Sequence, residues 1–290
     1  MIDKVLQSIK TIPAFPETVF KALQLVRSGD YSVIDMANVI KYDPSITANI
    51  LKMSNSAYFG SHQKIKTVQD AIIYLGQENL IRVIQTAGIS RFYKKPAKGY
   101  FLKPQELWKH CVSVALMSQI LSKKIFQRED PVLYTAALLH DVGKIILGEF
   151  VYESLKKIID LVAMKKYSFL DAEEEIIGIN HAELGGRIAD HWRFAKELRD
   201  AIAFHHRPDL LEEQDRAGGN EENVISWLVY LADQACLMMG IDGGADGLAH
   251  RGLSGVIKKF DLHLKDLEMS MVLLHEDLKH AQELIDVVPE

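Results

Sequence analysis

His140 and Asp141 stand side by side in Ala136-Ala137-Leu138-Leu139-His140-Asp141-Val142-Gly143-Lys144, an otherwise apolar stretch. An imidazole nitrogen and a carboxylate oxygen can both ligate a divalent metal. Burying them with neither a metal nor a polar partner would be costly. Residues of the same chemistry recur along the chain: His110, His181, the doublet His205-His206, and Asp233. Asp233 interrupts the apolar run 224–238, and a carboxylate inside so apolar a helix needs a cation or strong donors. Taken singly, each histidine reads as a hydrogen-bonded core residue. Taken together, five helical segments each present a metal-type residue next to core positions. His62, His191, His250, His263, His275 and His280 read as ordinary surface or helix positions.

Five imidazoles and two carboxylates are too many donors for one tetrahedral zinc. They suit a dinuclear site in which Asp141 bridges, and mixed nitrogen and oxygen ligation fits iron or manganese as well as zinc. Two such ions could hold phosphate oxygens and activate a water, with Lys144 neutralising phosphoryl charge. On that reading Asp141 and Lys144 are the catalytic candidates. A metal-free, hydrogen-bonded polar core is the alternative. Phosphate-loop, dinucleotide-binding and serine-hydrolase signatures do not occur in the sequence.

The elements that must position these groups read as helices, because apolar residues recur at helical period and strand-like alternation is scarce. Ile12-Pro13-Ala14-Phe15-Pro16 is an extended turn. The helix after it carries Val19, Leu23 and Val26 on one face and stops near Gly29. Asp43-Pro44 opens another helix with proline at its first position, and 55–60 is turn chemistry. Thr67 caps a helix from Val68 to Leu75 that ends at Gly76, and a further helix spans 78–90. The basic stretch 91–104 reads as a loop between two subdomains.

Beyond it, helices are expected at 105–124, 131–147, 149–165, 169–177, 181–192, 195–206 and 222–239, with polar interruptions at 207–223 and 240–247. On the helix 131–147, His140 and Lys144 share a face, the alanines leave room for a neighbour, and Gly143 permits close approach. His206, four residues beyond Ile202, points inward, and His205 is offset by about 100°. At the C-terminus Leu264, Leu267, Met271, Leu274, Leu278, Ala281 and Ile285 step at a mean period of 3.5. That seam either docks on its own domain or serves self-association.

Composition is globular: 290 residues, 48% hydrophobic and 25% charged, with a net charge of −5. The acidic balance argues against a broad nucleic-acid surface. No apolar run reaches the ~18 residues a membrane span needs. Neither a secretory signal nor a disulfide pattern is visible, Cys111 and Cys236 being the two cysteines, so a reduced, cytoplasmic setting is expected.

The order His110, His140-Asp141, Asp233 resembles the HD-domain metal-dependent phosphohydrolases. His181 and His205-His206 resemble the additional ligands of their dinuclear branch, which includes the HD-GYP cyclic-dinucleotide phosphodiesterases. A closer resemblance, over about residues 5–215, is to the HDOD family, the HD-related output domain of bacterial signalling. It is carried by Ile12-Pro13-Ala14-Phe15-Pro16, Asp43-Pro44-Ser45-Ile46-Thr47, Asn55-Ser56-Ala57-Tyr58-Phe59-Gly60 and Ala71-Ile72-Ile73-Tyr74-Leu75-Gly76.

The resemblance implies an all-α fold. Residues 1–93 would form an N-terminal helical subdomain, 105–240 an HD-like metal-binding bundle and 248–290 a C-terminal helical extension. Many HDOD proteins look degenerate at the metal positions and act as regulators, whereas here the ligand set is complete. After the His doublet, however, the chain reads Arg207-Pro208-Asp209-Leu210, where an HD-GYP enzyme has Glu and a Gly-Tyr-Pro motif. Two functions follow as expectations: a regulatory output protein, or a phosphohydrolase acting on a nucleotide or cyclic dinucleotide. The partner would be a signalling protein or a small phosphorylated ligand.

Overall fold

A computed structural model of the chain describes residues 1–29, 31–55, 64–103, 105–165, 167–211, 224–241, 244, 253–281 and 285–286. The described residues are helical, with no strand among them. The turn expected at 55–60 lies outside them beyond Asn55, as do His62, His250 and most of the two expected polar interruptions. No described helix is long and apolar enough to cross a membrane.

Five helices form the N-terminal part: α1 (Ile2–Ser8), α2 (Glu17–Ser28), α3 (Val33–Ile40), α4 (Pro44–Ser54) and α5 (Val68–Ile89). Their ends follow local chemistry. Asp43 accepts the Ile46 N–H with Pro44 in the first turn of α4, and Thr67 accepts the Asp70 N–H at the start of α5. Gly29 terminates α2 in the left-handed region, at φ 71°. Gly76, at φ 68°, kinks α5 where the sequence places a helix end, so the two expected helices abut as one bent element.

The segment 91–104 is not the open loop that its basic composition suggests. The segment carries short 3-10 turns, Ser90–Tyr93 and Lys98–Tyr100, and buries Phe92, Tyr93, Ala97, Tyr100 and Leu102. Its lysines are interspersed with aromatic residues, of which Phe92, Tyr93 and Tyr100 are buried. Tyr93 donates from its hydroxyl to the Leu138 carbonyl at 2.7 Å.

The second half comprises α6 (Glu106–Phe126), α7 (Pro131–Leu139), α8 (Gly143–Lys165), α9 (Phe169–Ile177), α10 (His181–His191), α11 (Lys196–Ala203) and α12 (Val224–Met238), followed by α13 (Leu253–Lys259) and α14 (Leu264–His280). α6 packs between α7 and α12, α11 against α10, and α8 against α9 and α10. The expected helix 131–147 is broken: α7 stops at Leu139, His140-Asp141-Val142 form a tight turn, and α8 runs through the expected break near 148. Gly143 lets α8 meet α10 backbone to backbone; a Cβ there would sit 1.9 Å from the His181 carbonyl oxygen.

The two halves are joined through side chains. The Gln85 amide donates to Pro131 O and Thr135 Oγ1, both at 2.7 Å. Phe15 packs on Trp192 and Phe194 and Phe92 on Trp192, and the Trp192 indole donates to Pro13 O at 3.0 Å. The extended Ile12–Pro16 turn is thereby docked on the end of α10.

The C-terminal seam is turned inward. Leu267 and Leu274 are buried on α14, which packs on α6, and Ala281 and Ile285 are also buried. The seam is thus spent within the chain rather than free for self-association; Leu264, at 66% exposure, is its exception.

Candidate metal centre

The seven predicted donors arrive from five separate elements. α6 brings His110 and α12 brings Asp233. The α7–α8 turn brings His140 and Asp141, α10 opens on His181, and the turn after α11 holds His205 and His206. Since α11 ends at Ala203, the helical projection of the doublet fails: His205 is fully buried and His206 only half-buried.

All seven converge. Donor atoms of His110, His140 and Asp233 lie within 4.8 Å of one another, as do those of Asp141, His181, His205 and His206. The Asp141 carboxylate stands between the two groups. Its Oδ2 lies 3.4 Å from His140 Nε2 and 3.8 Å from His110 Nε2. Its Oδ1 lies 3.5 Å from His181 Nε2 and 3.8 Å from His205 Nε2. Asp233 Oδ1 is 3.1 Å from His110 Nε2.

The outer nitrogens of four histidines face acceptors. His110 Nδ1 is 3.0 Å from Ile241 O, His140 Nδ1 2.6 Å from Ala137 O, His205 Nδ1 2.7 Å from Ile202 O, and His181 Nδ1 2.8 Å from Glu173 Oε2. Those partners assign the proton to Nδ1, so in the neutral ring the Nε2 lone pair points inward. The result is an inner face of acceptors. His140 Nε2 lies 3.3 Å from His110 Nε2, two such acceptors, whereas His206 Nε2 lies 2.9 Å from His181 Nε2 and can donate to it. The buried Asp141 Oδ1 and His205 Nε2 have no hydrogen-bond partner among the described residues. Like acceptors facing one another in a water-poor site call for a proton or a cation between them.

Electrostatics follow the same plan. Burial pushes the His205 imidazole down to about 3, with the neighbouring His140 adding to the effect. Burial and His205 hold His206 well below its ordinary value. Burial disfavours charge on Asp141 too, but Lys144 and His140 outweigh it and keep the carboxylate ionised. Asp233 is likewise burdened by burial, yet His110 lowers it below the usual range. For His140, burial is outweighed by Asp141 and Asp233, and its value rises. Lys144 is 1% exposed, and its ammonium donates to Asp141 Oδ2 at 2.8 Å. The expected His140–Lys144 shared face is replaced by this contact, because the helix is interrupted between them.

Two residues escaped the sequence reading. Glu173 on α9 is fully buried; its Oε2 accepts from the His181 backbone N–H at 2.9 Å and from the His181 ring, and its Oε1 accepts from the Tyr100 hydroxyl. A signal existed: Glu173 lies four residues from both Phe169 and Ile177, in the middle of an apolar stripe. Tyr100 lies in the basic segment 91–104, whose sequence reads as a loop. The buried Cys111 and Cys236 are free thiols that burial pushes well above their ordinary range. His191, His263 and His275 are exposed and take no part.

The HDOD domain model matches residues 12–208, well over half of the chain. The chain belongs to the HDOD family. Among solved structures, an HDOD domain protein of unknown function from Geobacter sulfurreducens superposes with a TM-score of 0.75 at 22% identity, over 100% of both chains. A candidate phosphohydrolase from Shewanella amazonensis SB2B superposes with a TM-score of 0.71 at 20% identity, over 98% of this chain and 97% of its own. These likenesses establish the fold. An uncharacterized protein of Treponema pallidum (strain Nichols) is 23% identical over 210 residues, 71% of this chain; the match spans only 40% of that longer protein. The HDOD region covers α2 to α11 and therefore contains every candidate donor except Asp233, which α12 adds from beyond it.

Proposed function

We propose that this HDOD protein is a signalling output module whose core holds two divalent transition-metal ions. The observation that carries the reading is the set of inward-facing Nε2 atoms of His110, His140, His181 and His205 around Asp141, with its Oδ1 and His205 Nε2 buried and without a hydrogen-bond partner among the described residues. His110, His140 and Asp233 would hold one ion and His181, His205 and His206 the other. Asp141 would bridge, one carboxylate oxygen toward each. The mixed donor set suits iron or manganese, with zinc as the alternative. When bound, such ions supply Lewis acidity toward a phosphorylated ligand. The chain's own part is to fix four imidazole tautomers through Ile241, Ala137, Glu173 and Ile202, and to offset the bridging carboxylate with Lys144.

A regulatory role is favoured over turnover on two grounds. The His doublet runs into Arg207-Pro208-Asp209-Leu210, and Lys144 spends its charge on Asp141 inside the core. One observation favours the second reading, a metal-dependent phosphohydrolase acting on a nucleotide or cyclic dinucleotide: a cleft of about 540 Å3 has His206 in its wall.

Elemental analysis of protein purified without chelator or histidine tag tests the metal reading. About two transition-metal ions per chain are expected, and Asp141→Ala should lose them. A chain free of metal after incubation with iron, manganese and zinc would refute it. Turnover of cyclic or linear phosphodiesters by the loaded protein, abolished in a folded Asp141→Ala, would move the assignment to the second reading.

A further inference from the structure

The cleft beside His206 is built for more than solvent. Its walls come from α9 and the residue before it (Ser168, Phe169), from Arg207 after the His doublet, from α12 (Trp227, Tyr230, Gln234) and from α13. One wall is aromatic, and Trp227 is only half-buried although it lies in the first turn of an otherwise apolar helix. The Tyr230 hydroxyl keeps its proton, since burial, with Asp233 and Asp209, pushes it up to about 12.

Charge at the cleft is nearly balanced. Arg207 is paired with Asp171, which is itself committed to capping α9 through Ser168. A guanidinium has five N–H donors, so one carboxylate leaves it able to take a second anion. Lys259 lies 4.9 Å from the centre of the Trp227 ring and brings another positive charge to the same wall. Asp209 is exposed to solvent. Ions behind His206 would tip this balance toward anions.

We propose that the cleft binds a planar heteroaromatic ring bearing an anionic group, the ring against Trp227 and the anion between Arg207 and His206. Aromatic side chains accept flat rings through their π-faces. The Gln234 amide supplies both a donor and an acceptor for ring-edge nitrogen and oxygen atoms. The ring half of the proposal stands on the cleft alone; the anion half rests on the metal reading.

Calorimetric titration of the full chain, with metal content measured on every sample, tests the proposal. The probes are adenosine 5′-monophosphate, quinoline-3-carboxylate, adenosine and inorganic phosphate. Either adenosine 5′-monophosphate or quinoline-3-carboxylate should saturate the protein, the first if the anion is phosphate and the second if it is carboxylate. Trp227→Leu should weaken that binding about tenfold with metal content unchanged. Arg207→Gln should weaken the anionic probe while leaving adenosine unaffected. Wild-type affinity in both variants overturns the proposal while leaving the metal reading intact, and so does the absence of saturable binding by either anionic probe to metal-loaded protein. Trp227-dependent binding of a ring probe to protein that stays metal-free after incubation with iron, manganese and zinc would support the ring site while refuting the metal reading.

Discussion

Gly143→Ala should be among the most damaging single-methyl additions in this protein. The added Cβ would sit 1.9 Å from the His181 carbonyl oxygen and 2.9 Å from both the Gly185 amide nitrogen and the His181 carbonyl carbon. Every one of these atoms is backbone, so no side chain can rotate away. Reaching an ordinary contact of 3.4 Å requires α8 and α10 to separate by about 1.5 Å. Overpacking of this kind typically costs about 1–3 kcal/mol, and rigid backbone on both sides argues for the upper end. The same displacement carries His181 away from Asp141 Oδ1, now 3.5 Å from its ring nitrogen, so the damage should reach the metal centre as well. Gly148→Ala is the control. It lies on the same helix, its nearest contact would be 3.5 Å, and loss of a mid-helix glycine should stabilise by roughly 0.5–1 kcal/mol. Urea denaturation gives the stabilities, and elemental analysis gives the metal content. A Gly143→Ala protein with wild-type midpoint and wild-type metal content would show that α8 and α10 are not packed as described.

Two further substitutions probe separate links. Glu173→Gln should lower metal affinity by roughly 10–100-fold with the fold retained, since it weakens the acceptor that orients His181; unchanged affinity in competition with a chelator would remove Glu173 from the centre. Glu129 receives Arg82 and Lys123 at 2.6 and 2.5 Å, and although its partial burial opposes charge, these cations lower its value below the ordinary 4.5. A carboxylate lowered on folding contributes stability above its unfolded value and loses it as pH falls through the folded one. Glu129→Gln should therefore be less stable at pH 7 and show a shallower loss of stability on acidification below about pH 4.5. Parallel stability curves for the two proteins would refute that assignment.

Much of this protein was legible without coordinates. Helical periodicity, the Asp43 and Thr67 caps and the Gly29 and Gly76 breaks depend on neighbours within four residues, and they recur in the structure where the sequence puts them. The seven candidate donors could be singled out because a polar group in an apolar run is anomalous whatever the fold. Glu173 sits on an apolar stripe in the same way, but two neighbouring glutamates made it look like part of a solvated face.

Tertiary contacts decided the rest. Apolar content alone cannot distinguish a continuous helix 131–147 from one broken at His140-Asp141-Val142. The break is set by Gly143 meeting α10 and by the Asp141–Lys144 contact. The basic segment 91–104 became core because Tyr93 and Tyr100 found acceptors at Leu138 and Glu173, far away in sequence. Above all, the residue types supplied the donors, but only the packing of α6, α10, α11 and α12 around the α7–α8 turn set Asp141 between two groups of imidazoles. Ligand distance is a long-range property of helix packing, and local sequence carries no record of it.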